Sequence, residues 1–193
     1  HNVQDLLLPD LEELSGQLYI YSNNSLENID LGKLIEAGSN IEIRYNNAIE
    51  SMILSSLQVV NGSVQMDGLN QMSVFEMPAL DEVNGSFSLS NNTKLEAFEA
   101  PLFQELSGSL TIRDNTDLAV VDLSSLECID DFTIVGNDMV PEDLHALLLQ
   151  LSCDDPGSEV IFRAGDADAL CADGDIVVSD LYVYAIDPEP FDL

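Results

Sequence analysis

Apolar residues return in this chain every 23 residues, and that period constrains the fold more than any other property of the sequence. Five turn-forming slots mark the repeat: Gly16, Ser39, Gly62, Gly85 and Gly108. Two residues after each comes an apolar pair with one residue between its members: Leu18/Ile20, Ile41/Ile43, Val64/Met66, Phe87/Leu89 and Leu110/Ile112. A sixth pair, Phe132/Ile134, arrives one residue early. Five residues after the first apolar position stands an asparagine slot, occupied by Asn23, Asn46, Asn92, Asn115 and Asn137 and broken only at Leu69. Four more apolar columns keep step, beginning at Leu26, Ile29, Leu31 and Leu34.

Apolar positions two or three apart, interrupted by Gly, Asn, Ser and Pro, suit short strands joined by tight turns. A helical repeat would need an unbroken 3.6-residue period, which the sequence lacks. One 23-residue copy is too small to bury its own apolar side, so the copies must stack as coils of a solenoid. Hydrogen-bonded coils then sit about 4.8 Å apart. Each column stands above itself, with apolar ladders inside and polar ones outside.

The pattern in "LSGSLTIRDNTDLAVVDLSSLECI" resembles the receptor L domain, a leucine-rich-repeat relative found in the insulin and EGF receptors and in fungal and bacterial surface proteins. The likeness covers roughly residues 3–151. It departs from ordinary leucine-rich repeats in reading Asn-x-x-Leu rather than Asn-x-Leu, and in having no helix in each coil. It implies a mainly β protein, a right-handed parallel β-solenoid of about six 23-residue coils, with its widest sheet at the "Leu-x-Ile" strands. Residues 1–137 form the repeat region and 138–193 a C-terminal cap. The resemblance also implies a ligand on the wide sheet of an extracellular or cell-surface module.

The two ends read differently. Val3, Leu6, Leu8, Leu11 and Leu14 match the second half of a repeat, with no strand or asparagine before them. An uncovered solenoid end exposes core and strand edges, so the chain is expected either to derive from a longer protein or to meet a neighbour there. At the other end "PEDLHALLLQL" (141–151) opens with Pro and acids and carries Leu144, Leu147, Leu148 and Leu151 on one helical face. Strands are expected near 159–163 and at 176–186. Cys153 and Cys171 bracket the first of these. A disulfide between them would close a loop of about 17 residues and contribute ~3 kcal/mol by chain entropy. Cys128 is then a free thiol at a coil corner or half of an intermolecular bridge.

Composition narrows the partners. The chain has 36 acidic residues against 5 basic ones, a net charge of −31. Its field repels nucleic acid and anionic membranes, and no apolar run is long enough to insert directly into a bilayer. High salt or divalent cations would screen the self-repulsion. His1 and His145 stand near no nucleophile slot, and no phosphate loop or Cys/His metal spacing occurs, so an enzyme is not expected.

Outward positions on the wide sheet alternate with the core columns: Tyr19 and Tyr21, Glu42 and Arg44, Gln65 and Asp67, Ser88 and Ser90, Thr111 and Arg113. The column Tyr19, Glu42, Gln65, Ser88, Thr111 is too irregular for the threonine ladder of an ice-binding surface. Two of only three arginines lie here, and exposed Tyr and Arg are enriched at interface hot spots. Tyr19, Tyr21, Glu42, Arg44, Asp67 and Arg113 are therefore the candidate ligand-binding set, for a protein or glycan at a surface. Alternatively Glu42, Arg44 and Asp67 form cross-strand ion pairs of small value. A second function from another class is assembly with copies of the same chain, head to tail, into a filament or layer.

Two further features carry weaker signals. "GDADALCADGD" places Asp166, Asp168, Asp173 and Asp175 close together with Gly, oxygen ligands of the kind Ca²⁺ prefers, though without EF-hand spacing. A solvated acidic loop is the alternative. Asn-x-Ser/Thr occurs at Asn23, Asn61, Asn84 and Asn91. Asn61 and Asn84 occupy a turn corner and Asn91 precedes the asparagine ladder, so these three are the expected glycan acceptors. Asn23 falls within the ladder, where its amide should be engaged and inaccessible.

Overall fold

The computed structural model describes residues 3–126, 129, 131–151, 159–163 and 180–184. The chain winds as a parallel β-solenoid whose coils pair in the expected register. On the wide face the strands Leu18–Tyr21, Ile41–Arg44, Val64–Asp67, Phe87–Ser90, Leu110–Arg113 and Asp131–Val135 lie side by side in sequence order. Partners are offset by 23 residues, as in Phe87↔Leu110, until Leu110↔Phe132 takes up the shortened sixth coil. Glu159–Arg163 and Asp180–Tyr184 add two more parallel strands, completing a sheet of eight. A five-stranded sheet of two-residue strands, from Glu13–Leu14 to Glu105–Leu106, forms a second face.

Every predicted inner column lies in the core. Leu34, Leu57, Leu80 and Phe103 are fully buried, as are Ile41, Ile43, Met66, Phe87 and Leu89. The middle coils are filled by stacked rings, Phe75 on Phe98 at 5.5 Å and Phe87 on Phe98 at 5.2 Å between centroids. The coil corners require glycine where the turns touch. A Cβ on Gly85 would come within 2.7 Å of the Gly62 backbone, and one on Gly108 within 2.8 Å of the Gly85 backbone. Real Cβ atoms do not approach that closely, which is why this slot recurs in the sequence.

The asparagine ladder clamps coil to coil. The backbone N–H groups of Asn23, Leu69, Asn92 and Asn115 donate to the side-chain oxygens of Asn46, Asn92, Asn115 and Asn137 at 2.8–3.2 Å. In return the side-chain amides of Asn46, Asn92, Asn115 and Asn137 donate to the carbonyls of Ile20, Met66, Leu89 and Ile112. A second polar ladder has no counterpart in the sequence reading. Asn40 Oδ1 and the hydroxyls of Ser63 and Ser86 accept the backbone N–H of Ser63, Ser86 and Ser109 in turn.

Leu69 interrupts more than the ladder. An aliphatic side chain can neither accept from the Asn46 N–H nor donate to the Ile43 carbonyl. At the same boundary the third face divides into two three-stranded sheets. Asp5–Leu7, Asn28–Asp30 and Ser51–Ile53 form one, and Val74–Glu76, Ala97–Glu99 and Val120–Asp122 the other. Elsewhere on this face each coil bonds the next, as in Leu31 N–H to Ile53 O at 3.0 Å and Met77 N–H to Glu99 O at 2.8 Å. The solenoid thus has a seam on one face, while its other two sheets run through.

The ends behave as the pattern implies, with one addition. Leu6, Leu11 and Leu14 pack against the core, but Leu7 and Leu8 stay exposed at the open edge. At the far end the helix Pro141–Leu151 turns Leu144, Leu147, Leu148 and Leu151 onto the last coil. Gln150 finishes the closure by donating to the Leu123 and Leu126 carbonyls, both at 2.6 Å. Among the described residues no helix is long and apolar enough to cross a membrane.

Register also stacks like charges. Glu76, Glu99 and Asp122 are direct neighbours, and so are Glu82 and Glu105 and, separately, Glu13 and Glu36. Opposed carboxylates destabilise a sheet, and salt relieves them. The melting temperature is therefore expected to rise between about 0.1 M and 1 M NaCl, over which the screening length falls from ~10 to ~3 Å. A flat or falling curve in a thermal melt would show that the acid ladders carry no net penalty. Replacing Asn115 by Ala leaves the Asn92 N–H without its partner in the core and removes the side-chain bonds to the Asn92 amide and the Leu89 carbonyl, an expected loss of about 2–4 kcal/mol in denaturant unfolding. Leu69→Asn gains the two missing bonds while giving up about 1.5–3 kcal/mol of burial, so it should fall within ~1 kcal/mol of the parent. A loss as large as that of Asn115→Ala would sink the interpretation of the seam.

Candidate functional site

The wide sheet carries a shallow depression of about 780 Å³ on its outer surface. Strand alternation explains it. Ser88, Ser90 and Thr111 are short outward residues, while longer side chains rise from the flanking strands at Arg44 and Arg113. Gln65 and Thr133 extend the polar floor, and among the described residues Val135 is the only aliphatic one lining it. Three interstrand steps separate the Arg44 strand from the Arg113 strand, a span of roughly 14 Å at about 4.8 Å per step.

One wall is a linked set of charged and aromatic groups. Arg44 Nε lies 3.6 Å from Asp67 Oδ2. Its guanidinium also donates to the Tyr45 hydroxyl at 3.3 Å and sits 5.3 Å from the Tyr45 ring centroid. The Tyr45 hydroxyl and, more weakly, the Asp67 carboxylate hold the arginine above its ordinary pKa, against the opposite pull of burial. Asn91 donates to Asp67 Oδ1 at 2.8 Å, so both carboxylate oxygens are engaged. Arg44 Nε is shut off from solvent and has no hydrogen-bond partner among the described residues, because 3.6 Å is too long for one.

The opposite wall differs. Arg113 is exposed and makes no ion pair among the described residues. The third arginine, Arg163, also lies on a strand of the wide sheet, so all three guanidinium-bearing residues of this acidic chain belong to one sheet. Both lysines lie elsewhere and link adjacent coils, Lys33 to Asp10 at 2.7 Å and Lys94 to Gln71 at 2.7 Å. The first of these pairs lowers the Asp10 pKa and raises that of Lys33 through their hydrogen bond, on exposed side chains.

Of the six candidate ligand-binding residues, Arg44, Asp67 and Arg113 line the depression. Tyr19 and Tyr21 stand beside it on the edge strand, their rings stacked at 5.9 Å and 6°. Glu42 accepts from the Asn40 side chain at 3.2 Å, so of the expected cross-strand ion pairs only Arg44–Asp67 forms. Asp67 faces outward yet is buried at 4% exposure, beneath its partners Arg44 and Asn91.

Tyr45 was not among those candidates, and its position had a signal. The residue after each of the first six wide-sheet strands takes a left-handed conformation: Ser22, Tyr45, Gly68, Asn91, Asp114 and Gly136, all with φ of 55–69°. Gly, Asn and Asp suit that slot; a bulky aromatic does not. Strain held at such a position points to function. The ring rests over Gly68, where a Cβ would sit 3.2 Å from Tyr45 Cδ1, and meets Tyr21 edge-on at 5.3 Å.

The expected glycan positions Asn61, Asn84 and Asn91 are all exposed. Asn23 is exposed too, contrary to the expected inaccessibility, because it is the last ladder position among the described residues, although its amide is engaged by the Tyr21 carbonyl at 3.2 Å. Asp166, Asp168, Asp173 and Asp175, and Cys128, Cys153 and Cys171, lie outside the described residues. Among the described residues no three His, Cys, Asp or Glu side chains gather as metal ligands. Comparisons of the chain with protein-family models, with curated proteins and with solved structures find no match.

Because the left-handed slot favours glycine, Tyr45→Gly should leave the melting temperature within about 3 °C of the parent, backbone relief of roughly 1 kcal/mol offsetting lost ring contacts. A drop of 10 °C or more in a thermal melt would make Tyr45 a structural residue rather than a displayed one.

Proposed function

We propose that the chain is a non-enzymatic recognition or adhesion module of the cell surface or extracellular space, similar in kind to receptor L domains, which takes its partner on the wide sheet. The observation that carries this reading is the placement of Arg113. An exposed cation with no ion pair among the described residues lines a depression in a chain of net charge −31. Selection for solubility alone would not place it there. The exposed tyrosines beside the depression, Tyr19, Tyr21 and Tyr45, supply amphipathic area at low entropic cost. A rigid sheet holds these groups in place, which limits the ordering cost of binding.

A second reading is favoured by a separate observation. The edge strands Asp5–Leu7, Glu13–Leu14 and Leu18–Tyr21 are last in their sheets among the described residues, with Leu7 and Leu8 exposed beside them. Such an edge accepts further strands, and a head-to-tail contact of this kind propagates into a filament.

An array of immobilised glycans and extracellular proteins tests the first reading with two variants. Arg113→Glu reverses the free cation, and Ser88→Tyr fills the depression. Bound positions should be lost with both variants while each keeps the parent's melting temperature within about 3 °C. Binding that survives both variants removes the wide sheet as the site. Concentration-dependent linear assembly in light scattering and negative-stain microscopy, unaffected by either variant, would favour the structural reading instead.

A further inference from the structure

We propose that the depression holds a short acidic oligosaccharide, with a sugar carboxylate at Arg113 and pyranose rings lying across the Ser88–Ser90 floor toward Tyr45. This rests on the wide sheet being the binding face and adds the chemistry of its ligand. Three properties of the surface select that class. The floor is built from hydroxyl and amide side chains, Gln65, Ser88, Ser90, Asn91, Thr111 and Thr133, with Val135 the one aliphatic side chain among the described residues that line it. A protein partner ordinarily needs an apolar centre ringed by polar groups, the inverse of this arrangement. A pyranose presents hydroxyls around its edge and an apolar C–H face, which match the hydroxyl floor and the tyrosine rings respectively.

The charges set the acid content. Arg44 is already engaged by Asp67 and by the Tyr45 hydroxyl, whereas Arg113 has no ion pair among the described residues, and its fork suits a bidentate carboxylate. One free guanidinium holds one carboxylate directly, and a polyanion longer than a few rings would be repelled by the field of the whole chain, at −31. The span of roughly 14 Å between the two arginine strands leaves room for two to three sugar rings. Ser88 is bonded to the buried Ser90 hydroxyl at 3.2 Å, which holds the half-buried Ser88 hydroxyl in place for an incoming sugar to join.

Isothermal titration calorimetry with linear trigalacturonate, its fully methyl-esterified form and a tri-glutamate peptide tests the assignment. Trigalacturonate should bind saturably at one site per chain. The esterified form, and trigalacturonate with Arg113→Gln, should each bind at least tenfold more weakly, and Ser88→Tyr should abolish binding. Tri-glutamate binding as tightly as trigalacturonate would reduce the site to a simple charge pair and overturn the saccharide assignment. No saturable binding of trigalacturonate would overturn it as well. If array binding sensitive to Arg113→Glu and Ser88→Tyr persists in that case, the sheet remains the binding face and only its ligand class changes. If array binding is also insensitive, the binding face itself fails.

Discussion

Cross-coil hydrogen bonding in strict register is the constraint on which this molecule depends. Each coil is too small to bury its apolar side, so it persists only by pairing with the coils above and below it. That requirement propagates into every other property. Apolar residues must recur in columns, corners must be glycine where backbones touch, and buried polar groups must be satisfied by the next coil. The asparagine side chain meets the last demand efficiently, because one amide both accepts from one backbone group and donates to another. The interruption at Leu69 shows the converse. With an aliphatic residue in the slot, the bonds to Asn46 and Ile43 cannot form, and one of the three faces divides at the same boundary.

The register that builds the core also dictates the surface. A column of carboxylates such as Glu76, Glu99 and Asp122 cannot be spread apart, since the strands fix its spacing near 4.8 Å. Against that background the arginines are informative by position. All three belong to the wide sheet, and of the two whose side chains are described, one is bound to Asp67 and Tyr45 while the other stands open. The depression between them is a consequence of side-chain length: short Ser and Thr columns lie between long ones. Its shape is a property of stacked coils and belongs to no single repeat.

Much of this was legible in the primary structure because period and strand alternation are local rules. The inner columns from Leu18 to Ile134, the helix over 141–151 and the strand near 159–163 all follow from residue type and spacing. The site was less legible. Outward direction identified Arg44, Asp67 and Arg113, but alternation says nothing about which neighbour leans over which. Thus Asp67 is covered, Glu42 bonds Asn40 instead of Arg44, and Asn23 is exposed despite its place in the ladder. The serine ladder through Ser63 and Ser86 was hidden for a related reason, since serine beside a turn glycine is ordinary turn chemistry until coils are stacked.

By itself, then, the sequence determined the coil length, the inward and outward sides, the shortened sixth coil and the position of the capping helix. These are set by periodic burial, which acts within each repeat and is read from one copy to the next. Only the tertiary structure decided the seam at Leu69, the left-handed display of Tyr45 over Gly68, and the division between Arg44, which is engaged, and Arg113, which has no ion pair among the described residues. Those outcomes depend on distances between side chains of different coils. Such distances exist only once the coils are stacked.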